Sequence, residues 1–208
     1  MYILIGAGGH SKVVVDILIA QNKSIIGFVD DNAEDSFLNY PILGKIEDMD
    51  RINKAHPSAK YLITIGNNEL REKILKNLYP FNISFGEAIH PSAQLGSNVQ
   101  VGVGTVIMPS VVVNHSSKIG NHAILNTGST VDHDCDIGDY VHISPGVHLA
   151  GNVKIRMGTH IGIGSNVIQG IVIGERTVVG GGSVVIRNID DHVVAVGVPV
   201  KIIKKRLI

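Results

Sequence analysis

One periodicity constrains this chain more than any other feature. From Ile89 to Val185 every sixth residue is aliphatic: Ile89, Leu95, Val101, Ile107, Val113, Ile119 and onward through Ile173, Val179 and Val185, 17 positions without exception. Four residues after each of the first 16 stands a second, mostly small or β-branched residue, such as Ala93, Thr105, Ser117, Cys135 or Ser183. An α-helix repeats near 3.6 residues and a half-buried strand near 2, so neither produces this pattern. Two inward positions in every six, one large and one small, describe the faces of a parallel β-helix. At three hexads per triangular coil, the 96 residues from Ile89 to Val184 make 96/18, a little over five coils.

The composition suits such tight stacking and removes several function classes. Glycine supplies 24 of 208 residues, aromatics only 4%, and tryptophan is absent, so the core is built from aliphatic and small side chains. Few aromatics disfavour a platform that stacks the bases of single-stranded nucleic acid. With 18 basic and 18 acidic residues the formal net charge is 0, and no global field draws in nucleic acid or an anionic membrane. No stretch approaches the roughly 18 apolar residues of a membrane span. Met1–Lys12 lacks the basic start and the apolar length of a signal peptide. The lone cysteine, Cys135, excludes an intramolecular disulfide and fits a reducing compartment. A cytoplasmic protein is expected.

Residues 1–86 follow a different rule, an alternation of strand and helix. Tyr2–Ile5 reads as a strand, Gly6-Ala7-Gly8-Gly9-His10 as a tight turn, and Val13, Val14, Ile17 and Leu18 as one face of a helix. Ile25–Val29 is a second strand ending in Asp30-Asp31; Tyr61–Ile65 is a third, closed by Gly66-Asn67-Asn68, and Glu69–Leu78 is a helix. The expected architecture is an α/β, Rossmann-like unit over 1–86 followed by an all-β parallel β-helix over 87–208. The glycine turn aims free amides at a phosphate, and an acid about twenty residues later is placed for a ribose hydroxyl. Ser11 stands where G-x-G-x-x-G needs its third glycine, so the dinucleotide fingerprint is incomplete.

The hexad register also places the histidines. His133 lies two residues after the inward Val131, which points it outward at a corner, and Asp134 follows directly. A histidine beside a carboxylate is the arrangement a general base needs, the carboxylate orienting the ring and stabilising the imidazolium. Asp132, on the other side, is an alternative carboxylate. Cys135 falls on an inward position and is assigned to the core rather than to nucleophilic chemistry. His115 lies one coil from His133 and His142 one coil from His160, but on different faces and without a third ligand, so no metal site is expected. Gly180-Gly181-Gly182 either clears side chains from a surface or simply serves a β-helix corner, and Lys201, Lys204, Lys205 and Arg206 form a basic tail.

The hexads and the tail Gly197-Val198-Pro199-Val200-Lys201 resemble the hexapeptide-repeat acyltransferases, whose repeats form a left-handed β-helix. The Gly-Ala-Gly-Gly-His turn, Asp30-Asp31, the string Ile65–Arg71 and Asp132-His133-Asp134 resemble the bacterial UDP-4-amino-sugar N-acetyltransferases of the bacillosamine pathway and the related sialic-acid O-acetyltransferases. This resemblance implies a homotrimer that moves acetyl from acetyl-CoA to the 4-amino group of a UDP-linked 4-amino-4,6-dideoxysugar. It places His133 as the base and Asp134 where the family usually has a glutamate. It places Gly8, Gly9, His10, Asp30, Asp31 and Gly66 at the nucleotide sugar, and His142, Ile163 and Gly181 at acetyl-CoA. A GDP- or dTDP-linked amine, O-acetylation of a sialic acid or other sugar hydroxyl, and a non-enzymatic structural or sugar-nucleotide-sensing role are the alternatives.

Overall fold

The computed structural model describes residues 1–206. Its first part contains β1 (Tyr2–Ile5), α1 (Gly9–Ala20), β2 (Ile25–Val29), β3 (Ser36–Phe37), β4 (Tyr40–Gly44), α2 (Met49–Ala55), β5 (Lys60–Ile63) and α3 (Asn68–Leu78). The sheet order is β3-β4-β2-β1-β5, with β1, β2, β4 and β5 parallel and β3 returning antiparallel on β4. Alternation along β1 builds the layers: Tyr2 and Leu4 pack with Val14, Ile17 and Leu18 of α1, whereas Ile3 and Ile5 pack with Met49 and Ile52 of α2 and Ile74, Leu75 and Leu78 of α3. The β3–β4 hairpin and α2 have no counterpart in the sequence reading. Pro41 inside β4 weakens its strand signal, and α2 is only seven residues long. Strand β5 ends at Ile63, which leaves Ile65 in the loop beyond it.

From Ala88–Ile89 to Val184–Val185 a two-residue strand recurs every six residues. Each pairs in parallel with the strand 18 residues on, as Thr130 with His148 and Val131 with Leu149, giving three sheets of six, five and eight strands around a triangular prism. No excursion interrupts the register. A left-handed backbone (positive φ) recurs at every sixth residue from Asn98 to Gly182 and turns the corners. The small inward positions carry buried hydroxyls that satisfy backbone carbonyls: Thr105 donates to Gly120 O at 2.7 Å and Ser117 to Asp132 O at 2.6 Å. Cys135 occupies the same position and its Sγ meets Ala150 O at 3.3 Å.

One inward assignment is corrected. Leu95 is 40% exposed, because its strand lies at the open end of the prism and pairs only with Val112–Val113. At the opposite end Val193–Val196 extends the eight-stranded sheet and Lys201–Lys205 folds back antiparallel upon it.

Helix α3 lies along the edge between the five- and eight-stranded sheets and joins the two parts. Arg71, buried to 1% exposure, donates to the carbonyls of His122 (2.8 Å), Tyr140 (2.8 Å) and Ile65 (2.8 Å). Asn68 donates to Gly158 O at 3.1 Å, and Glu72 pairs with Arg176 at 2.9 Å. His122, Tyr140, Gly158 and Arg176 are successive corner residues, one coil apart. The α/β unit is therefore docked along this edge, with α1 also packed on Ala88–Ile89 at the start of the eight-stranded sheet.

Candidate active site

His133 stands on another edge, between the six- and five-stranded sheets, with 59% of its side chain exposed. Its Nδ1 is 2.8 Å from Asp134 Oδ2. Consecutive side chains on a strand point to opposite faces; here the left-handed corner conformation of Asp134 (φ 58°) turns the carboxylate back beside the preceding ring. Aspartate is among the few residues that accept this conformation readily. The hydrogen bond to Asp134, and then the charge of Asp132, hold the imidazole above its ordinary pKa. Asp132 is not the ring's partner. Its Oδ1 accepts the His133 amide at 2.8 Å and Asn114 Nδ2 at 2.8 Å, and these bonds push its carboxyl below the usual range.

A residue that the sequence reading missed lies one coil further on. Gly151 is buried, and a β-carbon there would lie 2.7 Å from both Cε1 and Nε2 of His133. The imidazole therefore leans its Nε2 edge on the next coil. The coil period alone, 18 residues from position 133, was the available signal. The Gly151 amide has no partner among the backbone hydrogen bonds of the described residues. Cys135 is 1% exposed and burial pushes its thiol up, as its core assignment requires.

The glycine turn opens on a crevice of about 480 Å³ at the carboxyl edge of the parallel sheet, lined by Gly8, Gly9, His10, Asp30 and Gly66 among others. An adjoining cavity of about 250 Å³ is bordered by Asp31, Ile46, Lys73 and Asn77. The expectation of a turn full of free amides needs correction. The Ala7 amide is bound by Asp30 Oδ2 (2.7 Å) and the Gly8 amide by Ser11 Oγ (2.7 Å). The amides that open α1, at Gly9, His10 and Ser11, precede the first intrahelical bonds; Ser11 is buried, and those of Gly9 and His10, which line the crevice, are left for an anion. Ser11, buried where a third glycine was looked for, pins the turn. Asp30 also accepts from Asn32 and Ala33, so it shapes the loop, while the exposed Asp31 uses one oxygen on Ile46.

Gly66 joins this crevice to a second one, about 380 Å³, against the eight-stranded sheet. Its carbonyl accepts from His142 Nδ1 at 3.2 Å, and Asn126 Nδ2 reaches His142 Nε2 at 3.1 Å. A carbonyl only accepts and an amide nitrogen only donates, so the proton sits on Nδ1 and the ring is neutral. Burial, then His160 and Arg71, push its pKa down to about 3. The His142 and His160 rings stack at 4.8 Å. His10, with its Nε2 buried and unpartnered among the described residues, is pushed down to about 4 by burial and Arg71. Ile163, 62% exposed, and Gly181, its neighbour one coil on, lie on the third edge, between the eight- and six-stranded sheets. Thus His10, Gly66 and His142 share one region, while His133 and the Ile163–Gly181 pair stand on two other edges. No group of three or more His, Cys, Asp or Glu side chains able to hold a metal occurs among the described residues.

Comparison with known proteins follows the same division. Residues 2–78 match the PglD N-terminal domain family, and residues 116–151 match the bacterial transferase hexapeptide family (six repeats). A histidine-to-alanine variant of GDP-perosamine N-acetyl transferase from Caulobacter crescentus, solved with CoA and GDP-perosamine, is 37% identical with a TM-score of 0.94, covering 98% of this chain and 97% of that one. The acetyltransferase domain of PglB from Neisseria gonorrhoeae, solved with acetyl coenzyme A, is 34% identical with a TM-score of 0.90, covering 97% and 98%. UDP-N-acetylbacillosamine N-acetyltransferase of Bacillus subtilis is 37% identical over 103 residues, 49% of this chain and 48% of that protein. The matched stretches span only a fifth to about half of the curated relatives' length. The β-helix is of the left-handed kind found in these acetyltransferases. Matched along almost its whole length by solved relatives above 30% identity, the chain belongs to the hexapeptide-repeat sugar N-acetyltransferases that carry a PglD-type N-terminal domain.

Proposed function

We propose that this protein transfers acetyl from acetyl-CoA to the amine of a nucleotide-linked aminosugar, with His133 as general base. The observation that carries the reading is the exposed His133–Asp134 pair at 2.8 Å, whose ring has Nδ1 engaged and Nε2 directed along the edge of the prism. In this reaction the amine nitrogen attacks the thioester carbonyl, Nε2 accepts the proton the nitrogen sheds, the C–S bond breaks, and the imidazolium returns that proton to the departing CoA sulfur. Asp134 stabilises the resulting imidazolium. No acyl-enzyme is needed, and buried Cys135 is not placed to form one. The Gly151 amide, beside Nε2, is our candidate for the donor that meets the developing oxyanion.

The unit over 1–86 holds the nucleotide in this scheme: Gly9 and His10 amides face the phosphates, Gly8, Asp30 and Gly66 shape the cradle, and Asp31 meets the nucleoside. The unit over 87–208 holds acetyl-CoA at His142, Ile163 and Gly181. Because Ile163–Gly181 and His133 stand on edges one hexad apart, on the order of 15 Å, a thioester on the first is out of reach of the same chain's base, which must come within about 3.2 Å. We therefore assemble the site from the His133 edge of one copy and the Ile163–Gly181 edge of another, which a three-sided prism satisfies as a homotrimer.

We read the acceptor as the 4-amino group of a UDP-linked 4-amino-4,6-dideoxysugar, in line with the Bacillus subtilis relative. A GDP-linked amine is the second reading, favoured by the relative solved with GDP-perosamine. No helix among the described residues is long and apolar enough to cross a membrane, and the acetyl-CoA chemistry points to the cytoplasm. The test is thiol release from acetyl-CoA against UDP-, GDP- and dTDP-linked aminosugars, with the product checked for an amide. Absence of turnover on every amine, or an ester product, refutes the proposal.

A further inference from the structure

We infer that Gly151 is a positioning residue: the side chain it lacks is what seats the His133 imidazole against Asp134 with Nε2 over the next coil. This rests on the reading of His133 as the base. Three observations support it. First, the backbone at 151 does not call for glycine, because the left-handed corner residue is its neighbour Asn152 (φ 58°) and Gly151 itself has no positive φ. Second, a β-carbon at 151 meets His133 before anything else: its three nearest neighbours are ring atoms, Cε1 and Nε2 at 2.7 Å and Cδ2 at 3.3 Å. Third, the position just before the left-handed corner carries a side chain throughout the prism, as at Val103, Asn121, Asp139 and Met157, except at 151 and 181. Both glycines lie beside residues assigned to the reaction, one against His133 and the other against Ile163.

The physical consequence is specific. A methyl group at 151 collides only with the far end of an exposed side chain, so the ring yields and the fold does not. The ring's only escape is to swing away from the next coil, which takes Nδ1 off Asp134 Oδ2 and moves Nε2 away from the reacting nitrogen. A displacement of about 1 Å at a reacting centre costs roughly 10²-fold in rate.

The experiment compares Gly151→Ala, His133→Ala and the double variant by steady-state kinetics across pH, with the His133 imidazole titrated by NMR. Gly151→Ala is expected to lose roughly 10²-fold in kcat, with the KM for either substrate nearly unchanged and the His133 titration moved down toward the ordinary histidine value. In the His133→Ala background, where no ring stands over position 151, the added methyl should leave Tm unchanged. Unchanged kcat and titration in Gly151→Ala, with His133→Ala inactive, would overturn the inference while leaving the base intact. A rise in the acetyl-CoA KM with an unmoved titration would show that the methyl merely blocks substrate, and also overturns it. Full activity of His133→Ala would instead remove the base reading on which the inference stands.

Discussion

Nδ1 of His133 and Oδ2 of Asp134 are 2.8 Å apart although the two residues are neighbours in sequence. Only the left-handed corner at Asp134 brings adjacent side chains into this register. A β-helix corner thereby sets an imidazole against a carboxylate without recruiting a residue from elsewhere in the chain.

Removal of the proposed base is the most direct check. His133→Ala is expected to lower turnover by roughly 10²- to 10⁴-fold. The side chain is largely exposed, so Tm should stay within about 2 °C. Cys135→Ala, which deletes a core sulfur remote from the reacting atoms, should keep a substantial fraction of the rate. An inactive Cys135→Ala that still folds would contradict direct transfer.

The pH profile tests the partner. A base works when neutral, and Asp134 and Asp132 raise the His133 pKa above its ordinary value of 6.5. Activity should therefore climb with pH through an inflection above 6.5. Asp134→Asn removes the charge, so its inflection should move down and its maximal rate fall. An inflection that ignores this substitution would separate Asp134 from the base.

The two carboxylates after β2 should behave differently. Asp30 holds the amides of Ala7, Asn32 and Ala33, so Asp30→Ala should destabilise the protein by roughly 1–3 kcal/mol as well as weaken nucleotide-sugar binding. Asp31→Ala should raise the nucleotide-sugar KM about tenfold with little loss of Tm. Neither should change acetyl-CoA affinity, and calorimetric titration of each ligand separates the cases.

Acid should loosen the junction between the two parts. Burial depresses His10 and His122 to about 4 and His142 to about 3. An unfolded chain takes up these protons near pH 6.5, the folded one only near pH 4 or below. Stability from these groups is therefore complete above about pH 6.5 and is lost as pH falls toward 4, each contributing a slope of up to about 1.4 kcal/mol per pH unit. His122→Asn, which keeps a residue tolerant of the left-handed corner, should flatten the fall of Tm between these limits. An unchanged slope would mean that His122 is protonated in the fold.

The hexads made the prism legible because a β-helix is a local code. Each coil contacts only its neighbours, so a residue's face follows from its place in six and its neighbours from steps of 18. That arithmetic alone puts Val131 and Cys135 inside and His133 at a corner; the same step of 18 from His133, which the sequence reading did not take, reaches Gly151. The N-terminal turn was legible as a tight glycine turn between a strand and a helix, but not which of its amides remain free, since Asp30 and Ser11 reach them across bends that no period describes. Arg71 is the sharpest case. In sequence it is a basic residue on a helix, yet it lies buried among the carbonyls of Ile65, His122 and Tyr140. Its burial, and the placing of the α/β crevice on a different edge from His133, come from docking two separately coded units. Such docking is set by surface shape and hydrogen-bond complementarity between residues far apart in sequence, 51 positions for Arg71–His122 and 104 for Glu72–Arg176, and no local pattern carries that information.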